Sequence, residues 1–204
     1  MWYYPAHMSF REFLSGLLSR PRPKSRYALL VERLRGGDSS IDFTLLRTSF
    51  MESPEFEVSK GLDLDQQKKA AFAALSSRDF RTAVQVAGAI LGASFIDMDA
   101  HFVKYIAHGE IRETEQAKFH KMVFTRLLKS ITDSGDGKSP ATAYHVISIA
   151  EEYALMRVFR RVLIRQHLLR EGGHAYDQME VKDLNSGVTA TLYFNVDIPL
   201  RHAL

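Results

Sequence analysis

The chain predicts a mainly helical α+β fold, in which tetratricopeptide-like helical hairpins carry a C-terminal three-stranded antiparallel β-meander. Three observations predict it. Apolar residues recur at helical spacing, with start and stop residues, through most of the chain up to Val158. Two segments repeat at an offset of 34 residues: Asp79-Phe-Arg-Thr-Ala83 answers to Glu113-Thr-Glu-Gln-Ala117, and Ala71-Phe72-Ala73 to Tyr105-Ile106-Ala107. That period is the mark of tetratricopeptide arrays, where a small residue early in the second helix lets its partner come close. After Val158 the pattern changes to alternation: Leu192, Phe194 and Val196 interleave with Thr191, Tyr193, Asn195 and Asp197.

Composition sets the bounds. The 204 residues are 46% apolar and 25% charged, enough to bury a core. The expected organisation is one domain, 1–204, with N-terminal helices over 9–61, hairpin repeats and a central helix over 62–160, and the meander over 161–200. There is no cysteine, which removes disulfides, thiolate metal sites and Cys nucleophiles. A net charge of +3 argues against a nucleic-acid partner, although arginines gather over 11–35 and 157–170. No apolar run approaches the ~20 residues of a membrane span. Arg11 and Glu12 interrupt any secretory leader, so a cytoplasmic protein is expected.

Taken in order, Ser9 and Glu12 form a capping box ahead of an amphipathic helix over 9–19, expected to pack on the domain and the only place where the chain could meet a membrane. Helices follow over 25–35, ended by Gly36-Gly37, and over 42–52, with a loop over 54–61. From Leu64 come the paired helices. Gly135 and Gly137 then form a hinge, Ser139 reads as an N-cap and Pro140 as a first helical residue. The helix expected from there to Val158 is apolar on nearly every side and should be enclosed, yet it carries Glu151 and Glu152. Strands are expected over 163–170, 174–182 and 188–197, with the meander resting on the helices.

Chemistry is sparse. Ser134-Gly-Asp-Gly-Lys138-Ser139 resembles a phosphate loop, but Thr132 stands where the motif needs Gly, and a helix rather than a strand precedes it. Asp97, Asp99 and His101 could ligate a metal, but Asp at a helix start is better explained by capping and His101 by core packing. No metal or other cofactor is expected. Glu151, if enclosed, needs an arginine or a backbone amide as partner. No Ser-His-Asp spacing or nucleophile elbow is present.

Asp97-Met-Asp-Ala-His-Phe102, Lys118-Phe-His120, Ser134-Gly-Asp-Gly-Lys-Ser139, Thr142-Ala-Tyr144, Glu151-Glu-Tyr153 and Tyr193-Phe-Asn-Val-Asp-Ile-Pro199 together resemble the bacterial domain-of-unknown-function 4919 family. The resemblance covers about 60–200 and implies a helical-repeat body with a small C-terminal sheet. Members are often secreted or envelope-associated, and no activity is implied. Recurrence of these stretches suggests that Asp99, His101, Lys138, Glu151, Tyr193, Asn195 and Asp197 meet in one ligand-binding cluster. The function expected is a protein- or peptide-binding scaffold, since helical repeats present a groove and no known catalytic kit is present. The alternative is an enzyme or a small-molecule or metal binder using that cluster.

Overall fold

The computed structural model describes residues 23–202, so the amphipathic helix expected over 9–19 lies outside the described residues. Helix α1 (Arg26–Arg35) is capped by Ser25, whose hydroxyl accepts from the Ala28 amide. Helix α2 (Phe43–Met51) is capped by Asp42, which accepts from Thr44 and Leu45. The loop expected over 54–61 is instead helix α3 (Pro54–Lys60). Ser53 caps it, Pro54 stands in its first turn and Glu55 and Glu57 favour the positive end of its dipole. Pro54 therefore begins a helix here rather than only ending the previous one.

Two helical hairpins follow: α4 (Leu64–Ser76) with α5 (Phe80–Ala93), and α6 (Met98–Glu110) with α7 (Thr114–Thr132). The offset of 34 residues governs their starts, the N-caps Asp63 and Asp97, and the left-handed Arg78 and Arg112, both at φ 63°. In each turn the Asp79 or Glu113 amide reaches back to Ala74 or His108, closing the preceding helix in the same way. Ala83 and Ala117, the small residues of the repeat, are both buried.

The enclosed helix expected from Ser139 to Val158 is replaced by three elements: a 3-10 turn (Pro140–Thr142), strand β1 (Tyr144–His145) and helix α8 (Ile149–Val158). The glycine hinge is the cause. Gly135 lies against the Thr142 carbonyl, where a Cβ would clash. Gly137, at φ 68°, sits under the Tyr144 ring and donates from its amide to Thr142 O at 2.8 Å. Ser139 caps no helix; its hydroxyl lies 3.0 Å from Thr142 Oγ1. Tyr144-His-Val-Ile147 favours extended backbone, and Ser148-Ile-Ala-Glu151 is itself a helix-start pattern. Nor is α8 enclosed all round: Ile149 is 46% exposed and Tyr153 and Val158 each 38%, while Glu151, Glu152, Ala154, Leu155 and Met156 are buried.

Strands β2 (Arg161–Glu171), β3 (His174–Asp183) and β4 (Thr189–Asn195) form the antiparallel meander. The sheet is four-stranded and mixed rather than three-stranded, because β1 pairs parallel with β4, Tyr144 opposite Phe194, in the order β1-β4-β3-β2. The last strand stops at Asn195 instead of Asp197, which opens a short helix, α9 (Asp197–His202). The Asn195 side-chain oxygen accepts the Asp197 amide at 3.1 Å and turns the chain there. Helices and sheet share one apolar cluster running from Tyr27 to Val196, with Leu46, Ile90, Leu127, Leu155, Met179 and Phe194 fully buried.

Candidate functional site

Helix α8 has two chemically different sides. Inward, Glu151 accepts two hydrogen bonds from buried Arg47, Nε to Oε1 at 2.7 Å and Nη2 to Oε2 at 2.6 Å. The same guanidinium donates to the His145 carbonyl at 3.0 Å and to Ser130 Oγ at 3.3 Å, and Glu151 Oε2 also accepts the Ile147 amide at 2.9 Å. One buried ion pair therefore joins α2, α7, β1 and α8. The fork of arginine matches the carboxylate and still has donors for the neighbours, so both charges are satisfied away from water.

The next residue, Glu152, is fully buried and neither of its oxygens meets an N–H or hydroxyl donor. Its neighbour is the Asp177 carboxyl on β3, which accepts from Gln166 Nε2 at 2.6 Å. Burial, then the adjacent Asp177 charge, pushes Glu152 up to about 9, and burial raises Asp177 as well. At neutral pH Glu152 thus holds its proton and donates it toward Asp177.

Outward, α8 forms one wall of a groove whose other wall is α4 and the start of α6. One lobe, of about 590 Å³, is lined by Phe72, Ile149, Tyr153, Lys69, Asp99 and Arg157. A second, of about 300 Å³, runs on past Asp97, Ile147 and Glu151 toward Phe56; Asp65, Lys68 and Ala150 belong to both. Lys68 Nζ lies 3.0 Å from Asp65 and 3.8 Å from Asp97. Asp97 also caps α6, accepting from the Ala100 amide at 2.9 Å, and burial pushes its carboxyl up to about 6. Arg157 holds Asp99 through both oxygens, with Nε to Oδ1 at 3.1 Å, and so ties α8 to α6. Lys69 is exposed, with no carboxylate in ion-pair reach among the described residues.

His101 lies elsewhere, in a line of ring nitrogens within the second hairpin. Its Nε2 faces the Phe95 carbonyl at 2.7 Å, and its Nδ1 faces His120 Nδ1 at 2.9 Å. Burial holds both rings far down, His101 at about 3 and His120 at about 2, so both are neutral. A carbonyl only accepts, which fixes the tautomers: His101 donates from Nε2 and accepts at Nδ1, and His120 donates from Nδ1 and keeps a lone pair on Nε2. His108 stacks on His120 at 5.5 Å and bonds Glu113 at 2.5 Å. No group of three or more His, Cys, Asp or Glu among the described residues is placed to hold a metal ion.

Of the seven residues expected to meet, Asp99 and Glu151 line adjoining lobes of the groove. Asn195 and Asp197 contact each other at 3.4 Å, and Asp197 closes the sheet end by accepting from Ala175 at 2.9 Å, with His174 Nδ1 at 2.6 Å. The Tyr193 hydroxyl accepts from Gln178 at 3.0 Å. Lys138 is exposed beside Asp136, at 3.1 Å, and the Gly137 and Lys138 amides are spent within the hinge, on Thr142 O and Asp136 Oδ1. Apart from the two bonds between Asn195 and Asp197, no hydrogen bond or ion pair joins any two of the seven, all of which are described residues. What sequence reading missed is Arg47, 104 positions from Glu151, together with Lys68, Lys69 and Phe72; no motif or spacing marks them.

The family model described as Domain of unknown function (DUF4919) matches residues 23–203. No curated protein and no solved structure matches the chain. Among the described residues no helix is long and apolar enough to cross a membrane.

Proposed function

We propose that this chain, which belongs to the DUF4919 family, is a peptide-binding module built on tetratricopeptide-like hairpins. The groove between α4 and α8 carries the reading. It is open, it is lined by Phe72, Ile149 and Tyr153, and Lys69 stands at its edge without a counter-ion among the described residues. Two apolar side chains held outward on a helix whose opposite side is bolted by an ion pair suit a partner better than they suit water. The 34-residue offset of the hairpins supports the tetratricopeptide-like reading, because such arrays present extended grooves. The preferred ligand is an extended segment with an apolar anchor against Tyr153 and Ile149 and an acidic residue beside Lys69.

The test is a selection from displayed random peptides on the full chain, counter-selected on the double variant Ile149→Ser/Tyr153→Ser. The expected result is a family of peptides sharing an apolar anchor next to an acidic residue and binding the variant at least about tenfold more weakly. Peptides that bind both proteins equally, or no enrichment, overturn it.

A further inference from the structure

A second cleft, with no residue in common with the groove, lies where the end of α1 meets α5, α6 and α7. It measures about 400 Å³, and its lining includes Arg35, Lys104, Glu115, Phe119, Phe95 and His120. The Arg35 guanidinium lies 4.6 Å from the centre of the Phe95 ring. Lys104 is half-buried, its Nζ 3.8 Å from where a Cβ on Gly88 would lie. Neither cation has a carboxylate in ion-pair reach among the described residues. Glu115, at the solvent-facing rim of the cleft, turns to Lys118 at 2.8 Å, and Glu113 bonds His108 at 2.5 Å. Two like charges gathered in a partly dry cleft repel, and an anion between them removes that cost.

We propose that this cleft binds a small oxyanion that carries its own O–H or N–H donor. Arg35 and Lys104 meet the charge, and His120 Nε2 accepts from the donor. The requirement for a donor follows from the tautomer line: Phe95 O fixes His101, His101 fixes His120, and the ring nitrogen left over has a lone pair and no proton. An anion without a donor would place its own lone pairs against that nitrogen. Burial, followed by the Arg35 charge, lowers Lys104, with the Glu113 carboxylate acting against them.

Inorganic phosphate, which keeps an O–H at neutral pH, and sulfate, which has none, separate the two requirements. With the full chain labelled at histidine nitrogens, phosphate is expected to move the His120 Nε2 resonance saturably, and sulfate to bind about tenfold more weakly or not at all. Lys104→Met should weaken phosphate about tenfold while leaving the unfolding temperature near the parent's, because Lys104 has no bonded partner to lose; Arg35→Met, at an exposed position, is the second variant. A linear, non-saturating shift, equal responses to phosphate and sulfate, or unchanged phosphate binding in both variants would each overturn the proposal.

Discussion

Glu151 and Glu152 are neighbours in the chain, both buried, and kept in the interior by opposite means. Glu151 faces Arg47 and four elements meet on that pair, so removing one partner strands a charge away from water. Arg47→Met is expected to cost about 3–5 kcal/mol in urea unfolding, well beyond what an exposed pair such as Lys118 with Glu115 contributes. Glu152 instead keeps its proton. Its folded pKa lies above its ordinary value, so the native state holds a proton that the unfolded chain releases, and stability falls as pH rises from 4.5 through about 9. Glu152→Gln keeps the shape and a donor toward Asp177 but does not titrate. Its unfolding midpoint, compared with the parent's across pH, should match near pH 4 and gain steadily above it, by about 1–3 kcal/mol at mildly alkaline pH. A constant difference at every pH would place the effect in packing rather than in the proton.

At the level of elements, the parts legible in the sequence are those whose causes are local or repeated. Asp63, Asp79 and Asp97 announce their helices through caps, and the hairpins announce each other through the 34-residue offset. The alternation after Val158 gives the three long strands. Over residues 139–158 the local pattern misleads, because Ser139-Pro140 carries helix-start chemistry, while what bends the chain is the packing of Gly135 on Thr142 and Gly137 under Tyr144. The second start pattern, Ser148 to Glu151, lay in plain view and competes with the first. Two-residue β1 is too short for alternation to mark it. Gly135→Ala tests the hinge: its Cβ meets backbone, which cannot swing aside, so a loss of about 2–4 kcal/mol is expected in thermal or urea unfolding. A near-neutral result would mean that the turn reshapes freely and does not set the register of β1 on β4. The candidate site was legible only in part. Glu151 and Asp99 stand out as charges in apolar or capping positions, but Arg47 and Lys69 become meaningful only once the fold brings them near.

Across the whole molecule, the sheet and the helices close on a common core, and α8 stands between them with Glu151 and Glu152 turned inward beside Leu155 and Met156, and Ile149 and Tyr153 turned out. That arrangement joins the architecture to the proposed function: the Arg47–Glu151 pair fixes the helix, Arg157 ties it to α6, and Ile149 and Tyr153 are left to line the groove whose other wall carries Phe72. Core residues lost from such an assembly should lower stability and binding together, whereas groove residues should separate the two. The most direct test measures unfolding free energy and affinity for a selected peptide on the same Ile149→Ser/Tyr153→Ser protein. The account predicts stability within about 1 kcal/mol of the parent, as for partly exposed side chains, with peptide affinity reduced at least about tenfold. A variant that unfolds several kcal/mol more easily, or that binds the peptide as the parent does, would contradict it.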